Sequence, residues 1–424
     1  MFSKDLQTRI APHTATLRAA AIAVAAVVVV VQWISTMIKP RGDFMVHREF
    51  GRRMLNGEML HSGPYPPFWG VFFAPMALVP ANVAMPLFFV LGFCACVVFL
   101  KIVSTLARPL LARTGVDNFW LIAAALVILS RFVLRDFADG GANLFINALT
   151  WSGIWFIIKR KPLPGGALLG FAIALKCTPL LFLGYFFLKR QWMAVVSTLA
   201  FATLFFVSPV LIQGRTSYIA HMTEWKNNVL AGVAQKDPSN GVLGPDELAN
   251  KSLRPMLARY LMQLPAGHPG RFPGKAHIDF FRFSPETANR IVKLITYGSF
   301  LIIIWLFFRS TSNLNAPPIP WECAIMNILM LLYSPITWGQ HCVALIPAVC
   351  FICVRYSTGK PIPRWITGTM AGVVFIFIVV NRSLIGTTLS DLAESYHVIT
   401  ICMIALTAVS LAFWNEVKNS PAES

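Results

Sequence analysis

Charged residues are scarce in this chain of 424 residues. Only 13% are Asp, Glu, Lys or Arg, about half of the roughly 25% found in ordinary soluble domains. Hydrophobic residues make up 56%, and they are spread along the whole chain. This composition excludes a disordered chain, a coiled coil and a secreted disulfide scaffold. It predicts an integral membrane protein.

Among the charged residues, acidic ones are scarcer than basic ones. The chain has 18 of them against 36 Lys and Arg, which gives a net charge of +18. In a soluble protein this excess would indicate a nucleic-acid partner. Here the basic residues lie in short loops between apolar segments, where membrane topology and anionic lipid explain them better. We therefore expect the bilayer, and no nucleic acid, as a partner.

Motifs that hold metals or phosphates are also missing. The sequence has no GxxxxGK[ST] loop, no HExxH and no DxD pair of carboxylates, so nothing indicates a metal-held nucleotide sugar. The eight cysteines all lie in or beside apolar runs, and none is in the long polar loop. This placement argues against disulfides and against a zinc cluster. We expect no cofactor and no divalent metal.

Apolar segments predict an all-α polytopic membrane protein, with residues 1–424 forming a single integral membrane domain. Two further apolar stretches, 67–80 and 163–188, are interrupted by prolines or glycines. They predict broken or re-entrant helices, because non-helical backbone at membrane depth survives only inside protein or beside a cavity. The total is about 10–12 transmembrane or re-entrant helices. The predicted spans are 17–38, 82–106, 118–135, 141–158, 191–212, 287–308, 320–334, 340–355, 364–382 and 396–414.

Basic clusters orient these segments. If both termini are cytoplasmic, the inner loops carry the clusters around Arg108, Lys159, Lys189, Arg309 and Arg355, as the positive-inside rule requires. Three segments then face outward: the loops 39–66 and 214–286, which we expect to cap an active site, and the short turn 334–341.

Asp43 follows the first predicted span, with three other polar residues at helical spacing after it. His47 is four residues on, and Arg48 and Arg52 are four apart, so each pair shares a helix face. One interpretation is a general base beside an anion-binding wall. The other is a helix-capping aspartate with a solvated basic face. Spacing alone leaves both open.

Two further polar residues stand out at membrane depth or at its boundary. Lys176 lies in the middle of an apolar stretch, before Pro179. A charge there is costly, so it faces a cavity or a partner, or it snorkels to an interface. His341 follows Trp338 at the mouth of a span, where an interfacial polar role competes with chemistry on a phosphate or hydroxyl.

Several other motifs have ordinary structural interpretations. Arg131 and Arg135 with Asp136 and Asp139 predict internal salt bridges. Asn143 begins a span and can cap or bridge helices. The segment 250–254, from Asn250 to Arg254, predicts a helix start, and Tyr65 opens a rigid proline turn into the membrane.

In their order along the chain, these pieces resemble a known family. They are Gly42-Asp43-Phe44, Tyr65-Pro66-Pro67-Phe68, Gly141-Ala142-Asn143, Gly170 through Lys176, Asn250 to Arg254, and Ser334-Pro335 with Trp338 and His341. No piece is specific alone, but together they resemble glycosyltransferase family 87 of the GT-C superfamily. The family often has Gln-x-Asn or Gly-Gln near Asn143, whereas this chain has Ala142 there, and this departure puts the role of Asn143 in question.

The resemblance implies a GT-C-like fold and a membrane glycosyltransferase. Such an enzyme moves mannose or a similar hexose or pentose from a polyprenyl-phosphate donor to a lipid or glycan acceptor, with inversion. The resemblance implies Asp43 as the catalytic base and His341 as an essential polar residue near the donor phosphate. Candidates for donor or acceptor binding are Arg48, Arg52, Tyr65, Asn143, Lys176, Asn250 and Arg254. The implied location is a bacterial plasma membrane, with the active site on the outer face.

Other functions remain open from the residues alone. A transporter or lipid flippase would also have many spans and intramembrane charge, although no internal repeat supports it. A non-catalytic scaffold is a second alternative. Among enzymes, another GT-C transferase, such as one moving aminoarabinose or a whole oligosaccharide, is the nearest competitor.

The charge pattern makes a testable prediction about topology. Single cysteines replacing Asn240 or Arg160 in a cysteine-free background should differ in their reaction with a membrane-impermeant maleimide. Position 240 should react in intact cells, and position 160 only after permeabilisation, because the basic loop stays inside. The opposite pattern would contradict the proposed orientation.

Overall fold

The computed structural model describes residues 14–38, 40–60, 64–111, 117–273 and 276–419. The described chain is almost entirely helical, which confirms the predicted all-α polytopic fold; one two-residue hairpin pairs Asn240–Gly241 (β1) with Gly244–Pro245 (β2). The helices are α1 Thr14–Ile38, α2 Asp43–Asn56, α3 Phe68–Ala77, α4 Ala81–Leu111, α5 Asn118–Ile128, α6 Ser130–Asp139, α7 Asn143–Ile158, α8 Pro162–Leu175, α9 Leu180–Leu188, α10 Trp192–Val207, α11 Val210–Val233, α12 Leu253–Leu261, α13 Pro285–Phe308, α14 Pro318–Leu332, the 3₁₀ helix Gly339–Leu345, α15 Ile346–Ser357, α16 Arg364–Val379, α17 Arg382–Ser395 and α18 Val398–Asn419.

Five helical segments in the described chain are long and apolar enough to cross a membrane. They are Ala15–Ile38, Ala81–Pro109, Pro285–Phe308, Gly339–Ser357 and Val398–Asn419. Three bent pairs could add one span each: α6 with α7 at 113°, α10 with α11 at 85°, and α16 with α17 at 107°. The described chain therefore has between five and eight such segments, fewer than the ten straight spans that hydropathy predicts.

Three predicted straight spans are interrupted. The span predicted over 118–135 ends as a helix at Ile128 and restarts at Ser130. The span over 191–212 breaks before Pro209, which has no backbone N–H to continue the helical ladder. The span over 364–382 stops at Val379, and the Asn381 side chain then caps α17. Hydropathy detects the apolar content of these segments and not the turns inside them.

The two predicted breaks are present. Residues 67–80 form only the ten-residue helix α3, which contains Pro75. Within 163–188, α8 ends at Leu175 and α9 begins at Leu180, with Lys176 extended at φ −150° and ψ 122°. The chain thus leaves the helix at the residue that carries the charge.

Both predicted outer loops contain helices. The loop 39–66 forms α2, and 214–286 contains most of α11, the hairpin and α12. The two loops contact each other, since the Trp225 indole N–H donates to the Pro64 carbonyl oxygen over 3.3 Å. This contact is compatible with a shared cap, and their assignment to the outer face stays a prediction.

The helices pack around two clusters of buried side chains. The larger joins α4, α7, α14, α15 and α18. The smaller lies beneath α2 and α3 and is mostly aromatic, with Phe44, Trp69, Phe73 and Phe88 at its centre. Because Phe44 is completely buried, the start of α2 is held against the bundle beside its first residue, Asp43.

An ion pair lies within the larger cluster. The Lys189 ammonium is 2.7 Å from the Glu322 carboxylate, and these side chains are 1% and 0% exposed. The Tyr185 hydroxyl and the Trp414 indole N–H also donate to Glu322, over 2.8 and 3.1 Å. A buried charge requires such partners, and here they tie together α9, α14 and α18.

The buried pair allows a stability prediction. Glu322→Gln leaves Lys189 without its counter-charge and turns an amide N–H toward the Tyr185 or Trp414 donor. We expect the free energy of unfolding to fall by about 3–5 kcal/mol, seen as a lower Tm of the purified protein in detergent. Glu58→Gln is the control, because its pair with Arg52 is exposed and should matter little. An unchanged Tm in Glu322→Gln would contradict this view.

Candidate active site

Asp43 is the first residue of α2, and two glycines bring it close to the turn between α6 and α7. Gly42 has φ +68°, and a Cβ there would lie 2.7 Å from the Asp139 backbone. Gly140 has φ +64°, and a Cβ there would meet the Cβ of Phe44. A side chain at either position would require both a disfavoured conformation and a clash. The close approach places the Asp43 carboxylate beside the segments that carry the other polar residues.

The Asp43 carboxylate accepts a hydrogen bond from a glutamine of the 3₁₀ helix. The Gln340 Nε2 atom donates to Asp43 Oδ2 over 2.8 Å. Burial raises the pKa of Asp43 above its usual value of 3.8, the Gln340 hydrogen bond opposes this rise, and the negative charge of Asp139 adds to it. Lys176 and Arg135 are near enough to lower the pKa. The result is a carboxylate with increased proton affinity, which suits a general base.

Lys176, His341 and Asn143 converge next to Asp43. The Lys176 Nζ atom lies 3.2 Å from His341 Nε2 and 3.3 Å from Asn143 Oδ1. The Asn143 amide in turn donates to Asp136 Oδ1 over 2.7 Å. Lys176 and His341, which are 165 positions apart in the sequence, thus meet at one point, as expected if they contact a common group.

The tautomer of His341 follows from its other nitrogen. His341 Nδ1 accepts a hydrogen bond from the Trp338 backbone N–H over 3.1 Å. A neutral ring then carries its proton on Nε2, the atom that faces Lys176. Two donors directed at the same place provide a site where an oxygen of an anion can accept from both.

The turn that carries His341 is fixed by Asn250. Asn250 Oδ1 accepts from the Thr337 backbone N–H over 3.0 Å, and its Nδ2 donates to the Pro335 carbonyl over 3.1 Å. A further hydrogen bond runs from Nδ2 to Asp246 over 2.8 Å. Asn250, singled out in the sequence as a binding residue, therefore positions the 3₁₀ helix through its backbone.

An apolar groove of about 650 Å³ leads away from this site. Tyr65, Lys176, Trp338 and His341 lie at its polar end. Its walls come largely from α9, α13 and α14, through residues that include Leu180, Leu188, Ile304, Met326 and Met330. A long apolar cavity that ends at two cationic or polar side chains suits an amphiphile with an anionic head.

His47 and Tyr65 form a buried aromatic contact beside the site. The ring of Tyr65 stacks on Trp69 at 4.4 Å, and His47 Nδ1 accepts from the Trp69 indole N–H over 3.2 Å. Burial, with a contribution from Lys176, lowers the pKa of His47 to about 3. His47 is therefore neutral and packs in the core, although it shares a helix turn with Asp43.

Three predicted anion-binding arginines point elsewhere. Arg48 donates to the Met76, Ala77 and Val79 carbonyls that end α3. Arg52 pairs with Glu49 and Glu58 on an exposed face. Arg254 donates to three carbonyls in the last turn of α11 and just after it, those of Gly232, Gln235 and Asp237. The structure therefore does not form the basic wall predicted next to Asp43, because these guanidinium groups satisfy helix ends and surface carboxylates.

Sequence reasoning missed three groups in the site. Gln340 donates a hydrogen bond to Asp43. Its position directly before His341 could have indicated this role from the sequence. For Asp136 and Arg135 the sequence predicts only salt bridges. Arg135 does pair with Asp139, over 3.3 Å, but Asp136 instead receives hydrogen bonds from Asn143 and the Leu144 backbone. Within the described residues, no three His, Cys, Asp or Glu side chains group as metal ligands.

Comparison with known proteins agrees with the resemblance seen in the motifs. The model of glycosyltransferase family 87 matches residues 64–266, which include Tyr65, Asn143, Lys176 and Asn250 but neither Asp43 nor His341. A polyprenol-phosphate-mannose-dependent α-(1-2)-phosphatidylinositol mannoside mannosyltransferase of Mycobacterium tuberculosis is 25% identical over 74% of this chain and 70% of its own. The protein of the same name from Mycolicibacterium smegmatis is 24% identical, over 78% and 74%. These matches favour an enzyme over the transporter and scaffold alternatives, and they support a membrane glycosyltransferase that is similar to family 87.

Proposed function

We propose that this protein transfers mannose from polyprenyl-phosphate mannose to a hydroxyl group of a lipid or glycan acceptor at the outer face of the bacterial plasma membrane. The observation that carries the proposal is that Lys176 and His341 meet in the lining of an apolar groove, while Gln340, the residue before His341, holds Asp43 beside them. The names of the two relatives support mannose as the sugar and a polyprenyl phosphate as its carrier.

The donor would bind with its polyprenyl chain in the groove and its phosphate at Lys176 and His341. Burial of apolar surface stabilises the chain by about 25 cal/mol per Å² removed from water, although part of this gain exists already in the bilayer. The phosphate supplies the anion that the Lys176 ammonium and the His341 Nε2–H face. Tyr65 lies at the same end of the groove and contributes to its entrance.

Asp43 would act as the general base in a single displacement with inversion. The acceptor hydroxyl oxygen attacks the anomeric carbon and transfers its proton to the Asp43 carboxylate. The bond from that carbon to the phosphate oxygen breaks, and both its electrons leave with the polyprenyl phosphate. Lys176 and His341 then stabilise the negative charge on the leaving group, and electrostatic stabilisation of this kind supplies much of the rate enhancement in many enzymes.

The remaining polar residues would position this machinery. Asn143 accepts from Lys176 and holds the ammonium toward the groove, and Asn250 fixes the turn before His341. Arg48, Arg52 and Arg254 receive no binding role, because their hydrogen bonds stabilise helix ends and the surface. With two cationic or donor groups at the phosphate, the reaction as proposed requires no divalent metal.

Replacing Asp43 tests the base. Asp43→Asn keeps the size and loses proton acceptance, so transfer should fall by about 10²-fold or more. Glu286→Gln, an exposed carboxylate at the start of α13, is the control and should retain normal turnover. Detergent stability should be unchanged in both. Near-normal transfer by Asp43→Asn would overturn the role.

The pH dependence tests the same residue independently. A base works deprotonated, and burial raises its pKa, so kcat/KM should fall on the acid side with a midpoint above 3.8. Gln340→Leu removes the hydrogen bond that lowers this pKa, and should move the midpoint to higher pH. A midpoint that stays in place or moves down in folded Gln340→Leu would contradict Asp43 as the titrating group.

Replacing Lys176 and His341 tests the phosphate site. Lys176→Met should weaken binding of farnesyl phosphate, a short polyprenyl phosphate, by about tenfold or more, because one charge-assisted hydrogen bond is lost. His341→Ala should reduce transfer in a folded protein. Activity should persist in EDTA. Unchanged farnesyl phosphate affinity, or loss of activity in EDTA that Mg²⁺ restores, would contradict a phosphate held by these side chains alone.

A further inference from the structure

A second cavity also borders the 3₁₀ helix Gly339–Leu345. Its volume is about 510 Å³, and its walls come from α6, α16, α17 and the segment before α12. Gly339 lines this cavity, whereas Trp338 and His341 line the groove. Gln340, which lies between them in sequence, holds Asp43. The proposed base is therefore hydrogen-bonded to a segment, 338–341, that borders both cavities.

The second cavity is rich in positive charge. Four basic side chains line it, and the only acidic side chain among its lining residues is Glu394; the basic four are Arg131, Arg135, Lys251 and Arg382. The groove differs sharply, since Lys176 is the only lysine or arginine among its lining residues. Glu394 offsets part of this charge, because its carboxylate lies 3.3 Å from the Lys251 ammonium. The basic groups still outnumber the carboxylates, so the cavity attracts an anion.

Each arginine of this cavity has a partner and still has donors to spare. Arg135 pairs with Asp139 over 3.3 Å, Arg382 pairs with Asp391 over 2.7 Å, and Arg131 donates to the Val380 carbonyl over 2.5 Å. A guanidinium has five N–H donors, and one carboxylate or carbonyl does not use them all. The side chains of Arg135 and Arg382 are 53% and 63% exposed, so both can move to meet a ligand.

The cavity also lies close to the proposed base. Arg135 pairs with Asp139 over 3.3 Å, and the Asp139 backbone packs against Gly42, the residue directly before Asp43. Arg135 is near enough to lower the pKa of the Asp43 carboxyl. A molecule whose anionic group sits among these cations can therefore present a neighbouring hydroxyl near Asp43. The sugar of the donor would approach Asp43 from the groove.

We propose that this cavity, defined by Arg131, Arg135, Lys251 and Arg382, binds an anionic group of the acceptor, either a phosphodiester or a carboxylate. The inference rests on the proposed function and adds the chemical class of its acceptor: a molecule that carries both the reacting hydroxyl and a negative charge. The donor phosphate binds separately, at Lys176 and His341. Neutral acceptors would lose the charge-assisted hydrogen bonds that the cavity provides.

Binding of short lipids to the full-length protein in neutral detergent tests this site. The probes are dioctanoyl phosphatidylglycerol, with an anionic phosphodiester, dioctanoylglycerol hemisuccinate, with a carboxylate, and zwitterionic dioctanoyl phosphatidylcholine. We expect one or both anionic lipids to bind about tenfold more tightly than phosphatidylcholine, as expected for one or two charge-assisted contacts. Which anion binds more tightly identifies the group. Equal affinities for all three would overturn the proposal.

Variants of the cavity residues test whether the anionic lipids bind in this cavity. Arg135→Gln combined with Arg382→Gln should abolish the preference for the anionic lipids, and Arg135→Lys with Arg382→Lys should restore part of it. Arg290→Gln, at an exposed arginine of α13, is the matched control and should keep the preference. Retention of the preference in the folded double glutamine variant would overturn the assignment to this cavity.

Farnesyl phosphate separates this inference from the proposed function. It should bind together with dioctanoyl phosphatidylglycerol, without competition, and its affinity should depend on Lys176 and not on Arg382. Mutual competition would mean one shared site and would overturn the proposal of a second. If anionic lipid binding depends on the cavity but the protein transfers no mannose, the proposed function fails, and with it the acceptor role. If mannose is transferred without any anionic preference, the cavity proposal alone fails.

Discussion

A buried carboxylate, Asp136, fixes the geometry on which the site depends. It accepts from the Asn143 side chain over 2.7 Å and from the Leu144 backbone N–H over 3.0 Å, and so satisfies donors that the start of α7 would otherwise leave unpaired. This cap allows the chain to turn by 113° between α6 and α7 without exposing backbone groups. Asn143, held in this way, receives the Lys176 ammonium. Lys176 in turn meets His341, so the cap on one helix orients groups from three separate parts of the chain.

The features that sequence could predict are those with a local physical cause. Gly170, Lys176 and Pro179 cannot all lie in an ordinary apolar helix, so a break there followed from the residues themselves. Asp43 after the first span, and His341 at a turn near a tryptophan, were visible as isolated polar residues. Their convergence was not visible, because 165 residues separate Lys176 from His341. Resemblance to a family, more than spacing, suggested that they belong together.

The features that the sequence did not predict depend on which hydrogen-bond or ion-pair partner each polar side chain contacts in the folded protein. Arg48 and Arg254 both carry the charge that an anion-binding residue needs, yet their guanidinium groups donate to backbone carbonyls at helix ends. Arg135 forms the ion pair that its spacing predicts, but the same guanidinium also borders a cavity. Gln340 carries no charge and forms no motif, so its position directly before His341 is the one sequence feature that could have indicated a role. Tertiary packing decides which partner each side chain contacts, and sequence patterns carry no direct information about it.

The size of the apolar groove limits which part of a lipid donor the protein can contact. At about 650 Å³ it falls within the range of pockets that enclose one drug-sized molecule. A polyprenyl donor bound as proposed is much longer than the groove, so only the isoprene units nearest its phosphate would lie inside, and the rest would stay among the lipid tails. Recognition would then act on the phosphate and the first isoprene units, and the total number of isoprene units would have little influence on it.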